Sequence, residues 1–187
     1  TGGSAIVSQV LGEGKREQAN RCFSMLVYFA VLLSVVLSVI GFVFARPIAI
    51  ALGATGDLLE NCIVYSRILY IALTAFVLQY VFQSFFVTAE KPSLSLGISL
   101  VSGVTNMVLD FLFIAVFKWG LAGAAIATGI GQMVGGVIPV IYFTRKNDSL
   151  LQLVRTRFDG KVLRKALGNG SSEMVTNLSA SCSLIHI

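Results

Sequence analysis

Asp110 lies in the interior of a long apolar stretch, residues 94–117, and is the side chain of this sequence best suited to chemistry. Asn106 precedes it by four positions. Residues four apart share one face of a helix, so both side chains should point into the same space. A charged residue at the centre of a membrane helix costs about 3 kcal/mol and by default marks a functional site. We therefore predict that Asp110 and Asn106 belong to such a site.

The composition indicates a membrane protein. Of the 187 residues, 56% are hydrophobic and 12% are charged, whereas soluble domains carry about 25% charged residues. The formal net charge of +5 does not indicate a nucleic-acid partner, because the basic residues lie between apolar runs and not on one face of a soluble domain. The sequence also shows no hydrolytic triad, phosphate-binding glycine loop or metal-ligand cluster. We expect no enzyme activity, no metal and no cofactor.

Apolar runs of about 20 residues match the thickness of the hydrocarbon core. Four complete runs of this kind are present, at residues 22–45, 62–88, 94–117 and 121–144. Partial runs precede residue 12 and follow residue 166, so we expect this chain to be a fragment of a longer protein. The predicted fold class is an all-α membrane protein, a bundle of transmembrane helices.

Residues 145–165 form a basic segment that also carries leucine, valine and phenylalanine. Such a mixture is typical of an amphipathic helix that lies on an anionic membrane surface. A solvated linker between two helix bundles is the alternative interpretation. The loops on the same side of the membrane as this segment carry most of the basic residues between the apolar runs, whereas the opposite loops hold only Arg46 and Lys118. The positive-inside rule predicts a multi-pass plasma (inner) membrane protein with the basic loops in the cytoplasm.

Further polar residues inside the apolar runs are candidates for a substrate pocket. Gln79 and Gln83 share one face, and Tyr80 and other aromatics lie beside them, which suits a bulky cationic ligand through cation–π contact. The alternative is that the aromatics pack against lipid or protein. Thr128 and Gln132 either face the same space as Asp110 or form hydrogen bonds between helices. The run at 121–144 also carries a row of small residues that allows close helix approach. These are Gly123, Ala127, Gly131 and Gly135.

Four stretches of the sequence resemble the multidrug and toxic compound extrusion (MATE) family. They read GGSAIVSQVLGEGKREQA at 2–19, TAEKP at 88–92, NMVLDFLFI at 106–114 and GLAGAAIAT at 120–128. The resemblance implies a twelve-helix transporter of two six-helix lobes. By this similarity, residues 1–144 are the N-terminal lobe from the end of helix 2 through helix 6. Residues 145–165 are then a cytoplasmic linker, and residues 166–187 are the start of helix 7 in the second lobe.

The resemblance also implies a coupling site. In similar proton-coupled members, an Asn and an Asp of helix 5 and a Thr of helix 6 form a cation-responsive site with an Asp of helix 1, which lies before this sequence. The matching positions are Asn106, Asp110 and Thr128. Many relatives have proline after this Asp, whereas this chain has Phe111.

The function implied by the resemblance is antiport by alternating access. A monomeric transporter in the lipid bilayer would export organic, often cationic, compounds in exchange for a cation, H⁺ with Na⁺ as the alternative. One alternative is a flippase for lipids or lipid-linked oligosaccharides with the same broad fold. Another is a structural or receptor-like membrane subunit, for which replacement of Asp110 would leave function intact.

Overall fold

The computed structural model describes residues 2–145, 148–156 and 158–185, and within these ranges every regular element is helical. Residues 186 and 187 of the predicted last helix lie outside the described residues, as do Lys146 and Arg157 of the basic segment. The elements are α1 (Gly2–Gly12), α2 (Arg16–Val43), α3 (Ala45–Ala51), α4 (Gly56–Thr88), α5 (Pro92–Asp110), α6 (Gly120–Thr144) and α7 (Gly160–Ile185). A π-helix, Phe111–Val116, continues α5.

Four of the described helices are long and apolar enough to cross a membrane, which confirms the predicted all-α membrane class. They are α2, α4, α5 with its π-helical continuation, and α6. Two of them begin earlier than their apolar runs, α2 at Arg16 and α4 at Gly56. The extension of α2 consists mainly of Arg, Glu, Gln and Ala, which are good helix formers. Hydropathy therefore marks the membrane-embedded part of each helix and not its ends.

Part of residues 145–165 is helical, as expected, but only from Gly160 onward and not over residues 148–156. These residues have no regular secondary structure, and the helix begins only at Gly160. The cause is long-range hydrogen bonding: the Leu153 N–H donates to the Phe143 carbonyl at 2.8 Å. A backbone bound in this way to another helix cannot use the same groups for its own helical hydrogen bonds.

The core lies where α2, α4 and α6 meet and is built from aromatic rings. Phe23 of α2 is fully buried. Its ring makes edge contacts with Phe85 at 4.7 Å and with Phe143 at 5.1 Å between centroids. Phe82 stacks on Phe143 at 5.5 Å, and Phe86 is also buried. Phe82, Phe85 and Phe86 of α4 thus pack in the protein core.

Small residues bring α6 close to its two neighbours, as the four-residue row indicated. A Cβ atom placed on Gly136 would lie 2.6 Å from the Ala75 carbonyl oxygen of α4. A Cβ on Gly131 would lie 3.0 Å from the Asn106 Cβ of α5. In a membrane, where apolar burial does not drive helices together, such close packing is a main source of association. The glycines therefore hold α4 and α5 against α6 and set the geometry of the polar residues between them.

Candidate functional site

The candidate site is built on the face of α5 that turns toward α6. Ser102 is buried, and its hydroxyl donates a hydrogen bond to the Gly131 carbonyl at 2.7 Å. One turn further along, Asn106 Nδ2 donates to Thr128 Oγ1 at 3.4 Å. Both contacts depend on the missing side chain at Gly131, which lets the two backbones approach. The structure thus brings Asn106 and Thr128 together, two of the three residues that the MATE resemblance implied.

Asp110 follows Asn106 on the same helix and ends α5. The residue is half-buried, and its Oδ1 atom is buried without a hydrogen-bond partner among the described residues. A buried acceptor left unpaired costs about 1–3 kcal/mol, and more if it is charged. Such an oxygen is stabilised by a proton, a cation or a hydrogen-bond donor from a ligand. Asp110 therefore offers a buried acceptor atom to a proton, a cation or a hydrogen-bond donor.

The helix changes type directly after Asp110. In the π-helix Phe111–Val116 the hydrogen bonds span five residues, as in the bond from Phe117 N–H to the Leu112 carbonyl at 2.9 Å. π-Helical turns are rare and are frequent at functional sites. Phe111 supplies the backbone N–H that a proline here would lack, and this N–H bonds to the Met107 and Val108 carbonyls. The chain thus has an irregular backbone at the position where many relatives have proline.

Gln79 and Gln132 resemble Asp110 in their hydrogen bonding. The Oε1 atoms of both side chains are buried and have no hydrogen-bond partner within the described ranges. Gln79 of α4 packs directly against Gly135 of α6. In the described part of the chain these two oxygens and Asp110 Oδ1 are the buried side-chain polar atoms left unpaired. All three are hydrogen-bond acceptors.

Two other pocket candidates are placed differently. Gln83 Nε2 donates to Ser99 Oγ at 2.9 Å, and Ser99 donates in turn to the Ser95 carbonyl at 2.9 Å, so this amide links α4 to α5. Tyr80 is 59% exposed. Its ring packs on Phe76 at 4.8 Å on the outside of α4. Tyr80 therefore does not share the buried interface of Gln79, since it lies one residue, or about 100°, around the helix.

Sequence reasoning missed a row of polar residues on α2 that binds the segment after α6. The row is Arg16, Asn20, Ser24 and Tyr28. The signal was available, because these residues recur every four positions and so share one face. Their spacing alone does not reveal what they bind.

Solved structures similar to this chain are multi-helix membrane transporters. A MATE protein crystallised in the bent conformation has a TM-score of 0.89 at 20% identity, covering 98% of this chain and 42% of that one. The inward-facing conformation of a multidrug resistance MATE family transporter of the MOP superfamily has a TM-score of 0.84 at 20% identity, covering 90% of this chain and 39% of the other. The chain therefore has the fold of one part of these MATE structures.

The family model described as MatE matches residues 1–112. The chain belongs to the MatE family, and the resemblance inferred from its motifs is confirmed. The multidrug export protein MepA of Staphylococcus haemolyticus (strain JCSC1435) is 30% identical over 149 residues, which are 80% of this chain and 33% of that protein. The MepA protein of Staphylococcus saprophyticus is 28% identical over 147 residues, covering 79% of this chain and 33% of that one. The chain thus spans about a third of the length of the curated relatives it matches.

Proposed function

We propose that this chain forms the coupling lobe of a multidrug efflux antiporter. The observation that carries the proposal is the buried Asp110 Oδ1 atom, which no described residue pairs, one turn from the Asn106–Thr128 contact. An unpaired acceptor inside a membrane favours protons, cations and ligands with N–H groups. The names of the similar staphylococcal proteins, multidrug export proteins, support the same assignment.

Coupling in this proposal takes place at Asp110. When the site faces the side with more protons, a proton binds the carboxylate and gives a neutral group that can donate a hydrogen bond. An ionised carboxylate buried in the membrane needs a positive charge or water beside it. A cationic substrate supplies that charge when the proton leaves. Proton and substrate thus alternate at one carboxylate, which is the requirement for antiport by alternating access.

Asn106 and Thr128 position this carboxylate. Their hydrogen bond fixes the α5–α6 contact one turn before Asp110. The amide carbonyl of Asn106 remains an acceptor, whereas the hydroxyl of Thr128 remains a donor to another group. A change in the charge of Asp110 can therefore be answered by rearrangement of this pair.

The setting of the site follows from the charge distribution of the chain. We place the ends of α1, α6 and the basic segment 145–165 in the cytoplasm and the transporter in the plasma membrane, since this side carries most of the basic residues. Residues 1–144 form the N-terminal lobe, residues 145–165 the linker between lobes and residues 166–187 the start of the second lobe. The transporter acts as a monomer in the bilayer, on small organic substrates, with H⁺ as the coupling ion and Na⁺ as the alternative.

The decisive experiment measures efflux of a cationic dye by the complete protein in membrane vesicles. We expect an imposed proton gradient to drive efflux and a sodium gradient of equal size to leave it unchanged. Efflux with sodium alone would assign the coupling to sodium. Translocation of a labelled lipid without dye efflux would support the flippase alternative and contradict the proposal.

A further inference from the structure

Residues 148–156 form an extended segment, here called the strap, that lies along the first half of α2. The guanidinium group of Arg16 donates to the Ser149 carbonyl at 2.7 Å and to the Leu150 carbonyl at 3.2 Å. The other members of the polar row on α2 continue this binding. Asn20 Oδ1 accepts from Gln152 N–H at 3.0 Å, Ser24 Oγ accepts from Val154 N–H at 2.8 Å, and Tyr28 donates to the Val154 carbonyl at 3.5 Å. One helix face thus binds the backbone of the strap over its length.

The strap is also anchored by packing. Leu151 is fully buried in the aromatic core with Phe23 and Phe143. The buried side chain and the backbone hydrogen bonds fix the course of the chain, so the Arg155 side chain projects from the strap at a defined position. This position is beside the first turns of α2 and α7.

A cavity of about 990 Å³ opens at this position, between α2, the end of the strap and the start of α7. Each of the three segments contributes one basic side chain, namely Arg21, Arg155 and Lys161. Apolar side chains, among them Met25 and Phe158, line the same cavity. The cavity, here called the strap cavity, is therefore both cationic and amphipathic.

The strap cavity lies at the boundary between water and hydrocarbon. Arg21 is the last charged residue before the uninterrupted apolar part of α2, residues 22–43. Met25 lies one turn deeper on the same helix. Phe158 exposes 68% of its surface beside the cavity. An exposed aromatic ring next to cations at this depth is typical of a contact with lipid.

The acidic groups near the strap cavity do not neutralise its three basic side chains. The Asp159 carboxylate accepts the Lys161 backbone N–H at 2.9 Å and so caps the first turn of α7. Glu17 is 3.8 Å from Arg21, an exposed pair of little strength. In the described part of the chain, Arg155 and the Lys161 ammonium form no ion pair. Three basic side chains and one carboxylate, that of Asp159, line the cavity, so its net charge is positive.

We propose that the strap cavity binds the headgroup phosphate of an anionic phospholipid. Arg21, Arg155 and Lys161 contact the phosphate from three sides, and an acyl chain lies over Met25 and Phe158. The apolar wall and the membrane depth favour a lipid over free phosphate. A bound lipid joins α2, the strap and α7, and so stabilises the connection between the helices that precede and follow the strap.

The test is a titration of phosphatidylglycerol into the complete protein in detergent, followed by native mass spectrometry. Phosphatidylcholine serves as the neutral reference lipid. The double variant Arg21→Gln/Arg155→Gln should lower the affinity for phosphatidylglycerol by about thirtyfold. Each basic residue near anionic lipid contributes about fivefold to the affinity, and the two contributions multiply. The matched control is Arg164→Gln/Lys165→Gln, which removes two exposed charges outside the strap cavity and should leave the affinity unchanged. Arg155→Lys should also retain binding, since the charge remains.

Equal loss of binding in both double variants would overturn the proposal, because general surface charge would then explain it. Equal affinity for phosphatidylcholine would overturn it as well. Displacement by glycerol phosphate at the concentration of the lipid would show a site for free phosphate and contradict the assignment to lipid. If the double variant does not fold, Lys161→Gln replaces it, since this side chain is exposed on the first turn of α7. Lipid binding is measured without transport, so its failure leaves the antiport proposal standing.

Discussion

The side chains of Asn106 and Thr128 meet across the interface of α5 and α6, with Nδ2 donating to Oγ1 at 3.4 Å. Only a short turn separates the π-helical end of α5 from α6, and the two helices run back along each other. The contact lies beside Gly131, whose lack of a side chain permits it. Asp110 is one helical turn away, with a buried oxygen that the described residues leave unpaired. This relationship is the basis of the predictions about coupling.

Asp110→Asn should abolish proton-driven efflux of a cationic dye while the protein still folds, because the amide has nearly the same shape but cannot exchange a proton. Efflux in vesicles under an imposed proton gradient measures the effect. Glu60→Gln is the control, since Glu60 is exposed and only 3.8 Å from Arg46 in a weak ion pair. Wild-type efflux by the Asp110 variant would rule out this carboxylate as the coupling group.

Thr128→Val should weaken efflux by about fivefold, the equivalent of one hydrogen bond of about 1 kcal/mol. The variant keeps the branched shape but removes the acceptor for Asn106. Thr128→Ser retains the hydroxyl and should behave nearly as the wild type. Initial rates of dye efflux at several external pH values compare the three proteins. Identical rates in the valine and serine variants would show that the hydroxyl has no part in coupling.

Gly131→Ala should destabilise the protein by about 1–3 kcal/mol, as expected when a close-packed interface is overfilled. Its new Cβ would lie 3.0 Å from the Asn106 Cβ and 3.1 Å from the Ser102 carbonyl oxygen. Gly103→Ala on α5 is the matched control, because no heavy atom lies within 4 Å of its Cβ position. The midpoint of thermal unfolding in detergent should fall for the first variant only. A similar midpoint for both would contradict the close approach of α5 and α6.

Gln132→Leu should keep or raise stability and reduce efflux of cationic compounds. Its buried oxygen is unpaired in the structure, so an apolar side chain of similar size relieves a cost of about 1–3 kcal/mol. Gln83→Leu is the contrast, since it breaks the hydrogen bond to Ser99 and should lower stability. Thermal unfolding and dye efflux are measured on both variants. A less stable Gln132 variant with full activity would indicate a structural role for this amide.

Ser24→Ala should loosen the strap, because the Val154 N–H then loses its acceptor. Ser34→Ala is the control: this serine is equally buried, but its hydroxyl bonds only to the Val31 carbonyl within α2. Hydrogen exchange of residues 150–156 should become faster in the first variant and stay unchanged in the second. Unchanged exchange in both would show that packing of Leu151 holds the strap without the polar row.

The helices and the main pair of the site follow from local sequence signals. Asn106 and Asp110 share a face through their spacing, and the short turn after the π-helix returns the chain so that Thr128 can meet Asn106. The membrane runs are long and uniform, so their helical type is fixed by the need to satisfy every backbone group in lipid. These features require no knowledge of distant contacts.

The extended conformation of the strap and the division of the α4 aromatics between core and surface depend on distant contacts. The strap is extended because side chains more than 120 positions earlier in the sequence bind its backbone, and no local pattern reveals them. Phe82 and Tyr80 are near neighbours of similar size, yet one is in the core and the other is exposed. The positions of α2 and α6, through Phe23 and Phe143, decide which side of α4 is covered.

The hydrogen bonds of the π-helical turn after Asp110 span five residues, one more than in an α-helix, and this changes which side chains α5 turns toward α6. Up to Asp110 the facing row consists of Ser102, Asn106 and Asp110, which are polar. Beyond it, Phe113 makes the contact, and its ring stacks on Trp119 at 5.0 Å between centroids. A Cβ atom placed on Gly123 would lie 3.0 Å from the Phe113 Cβ. The face that α5 and its continuation turn toward α6 therefore changes from polar to aromatic directly after Asp110.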